Sequence, residues 1–286
     1  MGRFRLSAFA DEAAVSLDGQ IEAMRKNRIS LLELRGVDGI NCADLNLSQT
    51  AQILKKLKDA GISVWSMGSP IGKVSIRSPK LAEEDRFKKV LDNAVSLEAR
   101  CIRLFSFFET KGDPVYRDEV LERLQRFADI AAGSGVVLCH ENEKGIYGDC
   151  EQRCAEIHRA IPSVRAVFDP ANFIQCDRDV MKAYALLKEF IYYGHIKDAR
   201  KDGTVVPAGE GEGHIGTYVP DLLKGGDLVL TLEPHLQDFV GLAGLETPGE
   251  TSVIDNARFK SNDESFEYAV RALRELLSKA GQEEII

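Results

Sequence analysis

Four residues of this 286-residue chain have the types and the placement to hold a metal ion together: Glu141, Asp169, His195 and Glu233. Each stands at or next to the C-terminal end of a short apolar run, in VVLCHE, VRAVFD, IYYGHIK and LVLTLE. Runs this short, bounded by turn residues, suit buried strands better than helices. Three carboxylates and one imidazole form a mixed oxygen and nitrogen shell. By ligand softness that shell suits Mn²⁺, Mg²⁺, Co²⁺ or Zn²⁺ and disfavours Cu(I) and iron–sulfur clusters. An ion so held acts as a Lewis acid towards a carbonyl or hydroxyl oxygen. One carboxylate at a strand end more often caps a helix or makes a surface ion pair. Recurrence at four equivalent strand ends favours a common site.

The elements that must position them alternate along the whole chain. Strands are expected at Phe4–Phe9, Leu31–Arg35, Ile62–Met67, the stretch CIRLFSFF from Cys101, Val136–Asn142, Val164–Asp169, Ile191–Lys197 and Leu228–Glu233. Between them, apolar residues at helical spacing predict helices. These are a helix capped by Ser16 and running to Arg28, one opened by Ser48 and closed by Gly61, and others over Leu81–Ala99 and Tyr116–Gly133. Further helices are expected from Asp149 to Ile161, from Asp177 to Phe190, near Tyr218–Lys224, and through Lys279 after a loop from Gln237 to Asn262 that contains Pro248. Strict alternation implies a parallel sheet, and eight units imply an α/β fold closed as a (β/α)8 TIM barrel. No composition shift or linker divides the chain, so residues 1–286 are expected to form one domain. In such a barrel every strand's C-terminal end faces the same mouth, and the four residues meet there.

Composition narrows the function classes. Lys and Arg total 37 against 45 Asp and Glu, a net charge of −8 with no basic block, so no electrostatic footprint for nucleic acid is evident. No run approaches the roughly 18 apolar residues of a membrane span, and MGRFRLSAFADE lacks the apolar core and cleavage site of a secretory signal. A cytoplasmic protein is expected, with six free, mostly buried thiols, because Cys150 and Cys154 have no partner pair at zinc-site spacing. The sequence is also compatible with a homo-oligomer.

Several motifs fail on context. Gly211, Gly213 and Gly216 match G-x-G-x-x-G, yet they lie late in a loop beside Glu210 and Glu212, whose charges would repel a pyrophosphate. GSPIGK is one residue short of a P-loop, and Val74 follows Lys73 where a magnesium-binding hydroxyl is needed. Lys144 occupies the second histidine's place of H-E-x-x-H, and the G-x-S-x-G elbow is absent.

The phrases LCHENE, VFDPAN, GHIKDA and LTLEPH, in that order, resemble the xylose-isomerase-like barrel superfamily. More narrowly they resemble its sugar phosphate isomerase/epimerase branch, which includes ketose 3-epimerases and inosose dehydratases. FADE, LLELRG and GSPIGK extend the likeness over nearly the whole chain. The resemblance implies one divalent ion (Mn, Mg, Co or Zn) held by Glu141, Asp169, His195 and Glu233, with Glu141 and Glu233 also carrying protons. A metal bridging a carbonyl and the adjacent hydroxyl acidifies the intervening C–H and stabilises an enediolate, and acid/base groups on either side move the proton. Return on the opposite face epimerises a small-molecule sugar or sugar phosphate, return to the neighbouring carbon isomerises it, and loss of a β-hydroxyl dehydrates it. Dehydration of an inosose-type ketone is therefore the alternative activity. An abasic-site endonuclease and a non-catalytic sugar-binding barrel are more distant ones. Glu143 shares a strand face with Glu141 and is a second candidate for the ligand position. Asn172 stands where the epimerases often have a substrate-contacting histidine, and Lys201 where they place an arginine. Arg35, Lys73, Arg103 and Lys201 are candidates for hydroxyl or phosphate binding, Trp65 and Phe105 for packing against a sugar face, and Lys197 for pairing with a carboxylate at the mouth.

Overall fold

The computed structural model describes residues 2–110, 112–242 and 253–286, so Pro248 and the middle of the loop from Gln237 to Asn262 lie outside the described residues. Eight parallel strands close into a barrel: β1 (Phe4–Ala8), β2 (Leu31–Leu34), β3 (Ser63–Met67), β4 (Cys101–Leu104), β5 (Val137–Glu141), β6 (Val164–Phe168), β7 (Ile191–Ile196) and β8 (Leu228–Leu232). Each strand pairs with its neighbours in sequence, and β1 pairs with β8 to close the circle. The expected (β/α)8 barrel is the observed fold.

Side-chain alternation sorts each strand into two cores. Leu32 and Leu34 of β2, Ile102 and Leu104 of β4, Leu138 of β5 and Leu230 and Leu232 of β8 point outward into one apolar layer shared with the helices. The intervening residues fill the lumen. Cys101, Cys139, Val167 and Tyr193 form a small separate cluster there, with Trp65, Val137, Tyr192 and Val229 packed around it. Above this plug, at the C-terminal ends, the inward residues turn polar: Arg35, Arg103, Glu141, Asp169, His195 and Glu233 are all buried. A plugged floor and a charged mouth follow from one period-2 pattern.

The structure moves several expected boundaries, for physical reasons. The stretch CIRLFSFF leaves the barrel after Leu104, because the Phe105 and Phe107 amides donate to the Ile71 and Gly72 carbonyls of the GSPIGK loop instead of to a barrel strand. The helix expected to open at Ser48 spans Leu47–Asp59, capped by Asn46 in a reciprocal box with Gln49. The helix expected from Asp149 is Glu151–Ala160, and the Asp149 carboxylate pairs with Arg153 instead of capping it. The helix assigned to Asp177 starts at Val180 with Asp179 as its cap. Ser16 caps Leu17–Lys26 as expected. A six-residue helix, Pro170–Gln175, was not foreseen.

The glycine-rich loop has an internal explanation. The amides of Gly209, Gly211 and Gly213 donate to the Asp198 carboxylate at 2.9, 3.2 and 2.8 Å, so the loop is wound around a buried anion that the chain itself supplies. Burial raises the Asp198 pKa, and those amides offset part of the rise. Replacing Asp198 by Ala leaves the amides without their acceptor. A loss on the order of 3 kcal/mol in denaturant unfolding is expected, and an unchanged midpoint would show that the loop does not depend on the carboxylate.

His140 and His158 lie edge to face between barrel and helices, 5.8 Å between ring centroids, and Val164 O is 3.0 Å from His158 Nδ1. Burial holds His158 down at about 4 and His140 well below the usual imidazole value. Above about pH 6.5 both are neutral, folded or unfolded. Below it the unfolded chain takes up protons that the folded chain refuses, so stability falls as pH drops from about 6.5 towards 4. His158→Gln should flatten this dependence by up to about 1.4 kcal/mol per pH unit, measured as unfolding free energy between pH 7 and 4.5. Parallel profiles for both proteins would contradict the assignment.

Candidate active site

Asp169 follows the end of β6 and does two jobs at once. Its Oδ1 accepts the Asn172 amide at 3.0 Å, which caps the unforeseen short helix and fixes the carboxylate's orientation. Its Oδ2 is then buried with no aligned hydrogen-bond donor, although Lys197 Nζ lies 2.9 Å away as a charge contact. Asn142 ties the ends of β5 and β6 together by accepting the Asp169 amide at 3.0 Å and donating to the Asp169 carbonyl at 2.8 Å.

One ligand atom from each of Glu141, Asp169, His195 and Glu233 lies within 4.8 Å of the others, all in buried side chains. His195 Nδ1 is 3.0 Å from Glu141 Oε1 and 3.2 Å from Glu233 Oε2. The convergent oxygens, the imidazole nitrogen and the unbonded Oδ2 of Asp169 fit a hard or borderline divalent ion. Glu143 is outside this group, with its carboxylate 3.0 Å from Lys73 Nζ.

Cations surround the four. Arg103 Nη1 is 3.2 Å from Glu141 and 3.8 Å from Glu233. Lys197 Nζ also reaches Glu233 at 3.3 Å. Arg35 binds Asp11, Glu12 and Glu233 at 2.9, 3.1 and 3.1 Å, its guanidinium lying 4.3 Å from the Phe9 ring centroid and 4.5 Å from that of Phe239.

These contacts set the charges. Burial pushes Asp169 up to about 7, Lys197 opposes that rise, and Glu141 and Glu233 add to it. Burial pushes Glu12 up to about 8 against the pull of Arg35. Burial would likewise raise Glu233, but Lys197, His235 and His195 hold it well below the usual carboxylate range. For His195 burial acts downward, and Glu141 and Glu33 overcome it and hold the imidazole well above its ordinary value.

The remaining candidates separate. Phe105 lies in the mouth beneath Arg103 and Lys73, with its ring centroid 4.9 and 4.5 Å from their charged groups. Asn172 donates to Asn142 O at 2.9 Å and Glu141 Oε1 at 3.3 Å, so its amide braces Glu141. Lys201 is exposed at the rim, on a cavity of about 600 Å³ shared with Lys144, Arg153 and Arg178. Trp65 does not join the site. It stacks on Tyr192 at 5.7 Å and lines a cavity at the opposite end of the barrel with Arg5, Leu31 and Val229. The β2–β3 register shifts next to it, which puts Ser66 instead into the lumen beside Glu33.

Sequence reasoning gave no role to Asp11, Glu12, Glu33 or His235. Asp11 and Glu12 follow the end of β1 and carry the same strand-end signal as the four. Glu33 shares a strand face with Arg35 by side-chain alternation, but its role stays hidden because its partner His195 is 162 residues away across the lumen.

A family profile described as xylose isomerase-like TIM barrel matches residues 30–246. Comparison with curated proteins finds no match. Among solved structures, the probable 3-DHS dehydratase AsbF from Bacillus anthracis superposes with a TM-score of 0.71 at 14% identity, covering 96% of this chain and 99% of that one. D-allulose 3-epimerase from Methylomonas sp., in complex with D-allulose, gives 0.72 at 13%, covering 97% and 98%. The IolI protein with a bound zinc atom gives 0.70 at 16%, covering 96% and 99%. At these identities the structural likenesses establish the fold alone. The match of the family profile to three quarters of the chain establishes more, and the chain belongs to the xylose isomerase-like TIM barrel family.

Proposed function

We propose that this protein is a divalent-metal-dependent isomerase or epimerase of a small-molecule sugar or sugar phosphate. The observation that carries the reading is the convergence of Glu141, Asp169, His195 and Glu233 within 4.8 Å at the ends of four consecutive strands. A divalent ion bound there supplies Lewis acidity to a carbonyl and its neighbouring hydroxyl, which lowers the barrier to ionising the C–H between them.

The chain's own groups do the rest. Glu141 and Glu233 come from β5 and β8, so they approach a substrate from different sides, and each is suited to take or return a proton. Arg103 lies close to both carboxylates and bridges them electrostatically, which offsets their mutual repulsion. Asn172 fixes Glu141 from behind, while Arg35 and Lys197 hold the two oxygens of Glu233. Phe9, Phe105 and Phe239 wall the mouth with apolar surface that excludes water. Lys73, above Phe105, is assigned to a substrate hydroxyl or phosphate.

Dehydration is the second reading, favoured by Lys197. Its ammonium lies between Asp169 and Glu233, where it is suited to protonate a departing hydroxyl. The superposition on a probable dehydratase supports keeping it. A carbohydrate is preferred to a nucleic acid because the chain carries a net charge of −8.

Deuterium wash-in from D₂O into a panel of ketoses and inososes tests the reading. The wild type with Mn²⁺ or Co²⁺ should exchange the proton next to the carbonyl. Glu141→Gln and Glu233→Gln should each slow exchange by about 10²–10⁴-fold. Exchange that survives either substitution would remove that residue from proton transfer. Mn²⁺ affinity should also weaken as pH falls below about 7, because the ion must displace the proton that Asp169 holds there. A titration showing constant affinity from pH 8 to 6 would contradict this.

A further inference from the structure

Glu33, fully buried in the lumen one layer below the mouth, belongs neither to the four-residue cluster nor to the proton-transfer scheme. Its Oε2 is 3.2 Å from His195 Nε2, on the far side of the imidazole from Glu141 and Glu233, which approach Nδ1. Its other oxygen, Oε1, accepts the Tyr193 hydroxyl at 2.9 Å and the Ser66 hydroxyl at 3.2 Å. Phe9 meets the His195 ring edge to face at 5.3 Å and Tyr193 meets it at 5.5 Å, so the ring is clamped in both plane and rotation. All five side chains are essentially inaccessible to solvent.

We propose that Glu33 is the positioning residue of the metal centre: by accepting the Nε2 proton of His195 it leaves Nδ1 as the metal-facing nitrogen and fixes where that nitrogen points. Tyr193 and Ser66 hold Glu33 for this task. A histidine has two nitrogens, and only the hydrogen bond made by one decides which is free to ligate. Removing such a partner typically weakens metal binding by about 10–100-fold. The proposal rests on the metal-site reading above, and it concerns which nitrogen is presented, not which reaction follows.

The test is Co²⁺ titration, read by visible absorption and by chelator competition, on wild type, Glu33→Gln, Glu33→Ala and Tyr193→Phe. Glu33→Gln keeps the shape of the side chain and should weaken Co²⁺ binding about tenfold, with Glu33→Ala approaching a hundredfold. Tyr193→Phe, which leaves His195 untouched and removes one donor to Glu33, should weaken it in the same direction by a smaller factor. A purely structural Glu33 would lower the melting temperature and leave Co²⁺ affinity and spectrum within twofold of wild type, which overturns the proposal. A wild type that binds no Co²⁺ would defeat the metal reading. The positioning claim is then decided by ¹⁵N-correlated NMR of the histidine side chains, with His195→Asn to assign the signal. A hydrogen-bonded Nε2 proton on His195 that Glu33→Ala abolishes supports it, and absence of that proton in the wild type refutes it.

Discussion

Unbalanced charge in a buried barrel mouth is the constraint around which the rest of this structure is arranged. Asp11, Glu12, Glu33, Glu141, Asp169 and Glu233 are all buried, and the permanent cations buried with them are Arg35, Arg103 and Lys197. At low effective dielectric, six carboxylates that share so few cations still repel one another, by on the order of several kcal/mol. The excess is relieved by protons, as the raised values of Glu12 and His195 indicate, or by a divalent ion. Positive charge arriving at the site, as protons or as a divalent ion, would offset that excess.

The local architecture serves that arrangement. The period-2 pattern sends one face of every strand outward to the helices and stacks an apolar plug under a polar mouth, so the charged groups stand on a packed floor. Turn chemistry then aims individual atoms. The cap made by Asp169 commits one oxygen to the helix and frees the other, and the Asn142 bridge locks β5 to β6. Asp198, two strand positions beyond Ile196, draws the glycine-rich loop inward and keeps it beside the mouth.

Much of this was legible in the sequence. Strand ends carrying Glu141, Asp169, His195 and Glu233 announce themselves because each carboxylate or imidazole interrupts an apolar run at the same relative place. Barrel closure needed only the count of alternating units. What the sequence hid were relations across the lumen and one-residue offsets. Glu33 reads as an ordinary strand residue until closure sets β2 opposite β7. Trp65 reads as a mouth residue because it lies in the strand that leads into GSPIGK, yet the register shift beside it leaves it at the barrel's other end. The helix starts at Asn46, Cys150 and Asp179 were misplaced by one or two residues because adjacent polar residues all resemble caps; at Asn46 and Asp179 a side-chain hydrogen bond singles out the cap, whereas Cys150 makes none.

The proposed chemistry requires that four strand-end side chains hold one divalent ion. Elemental analysis of gently purified protein tests it most directly, comparing wild type with the Asp169→Asn, Glu233→Gln double variant. Near one divalent ion is expected per wild-type chain, lost in the double variant while the fold is retained. A wild type that contains no metal and takes up none from Mn²⁺, Co²⁺ or Zn²⁺ would contradict it, and the buried cluster would then be balanced by protons alone.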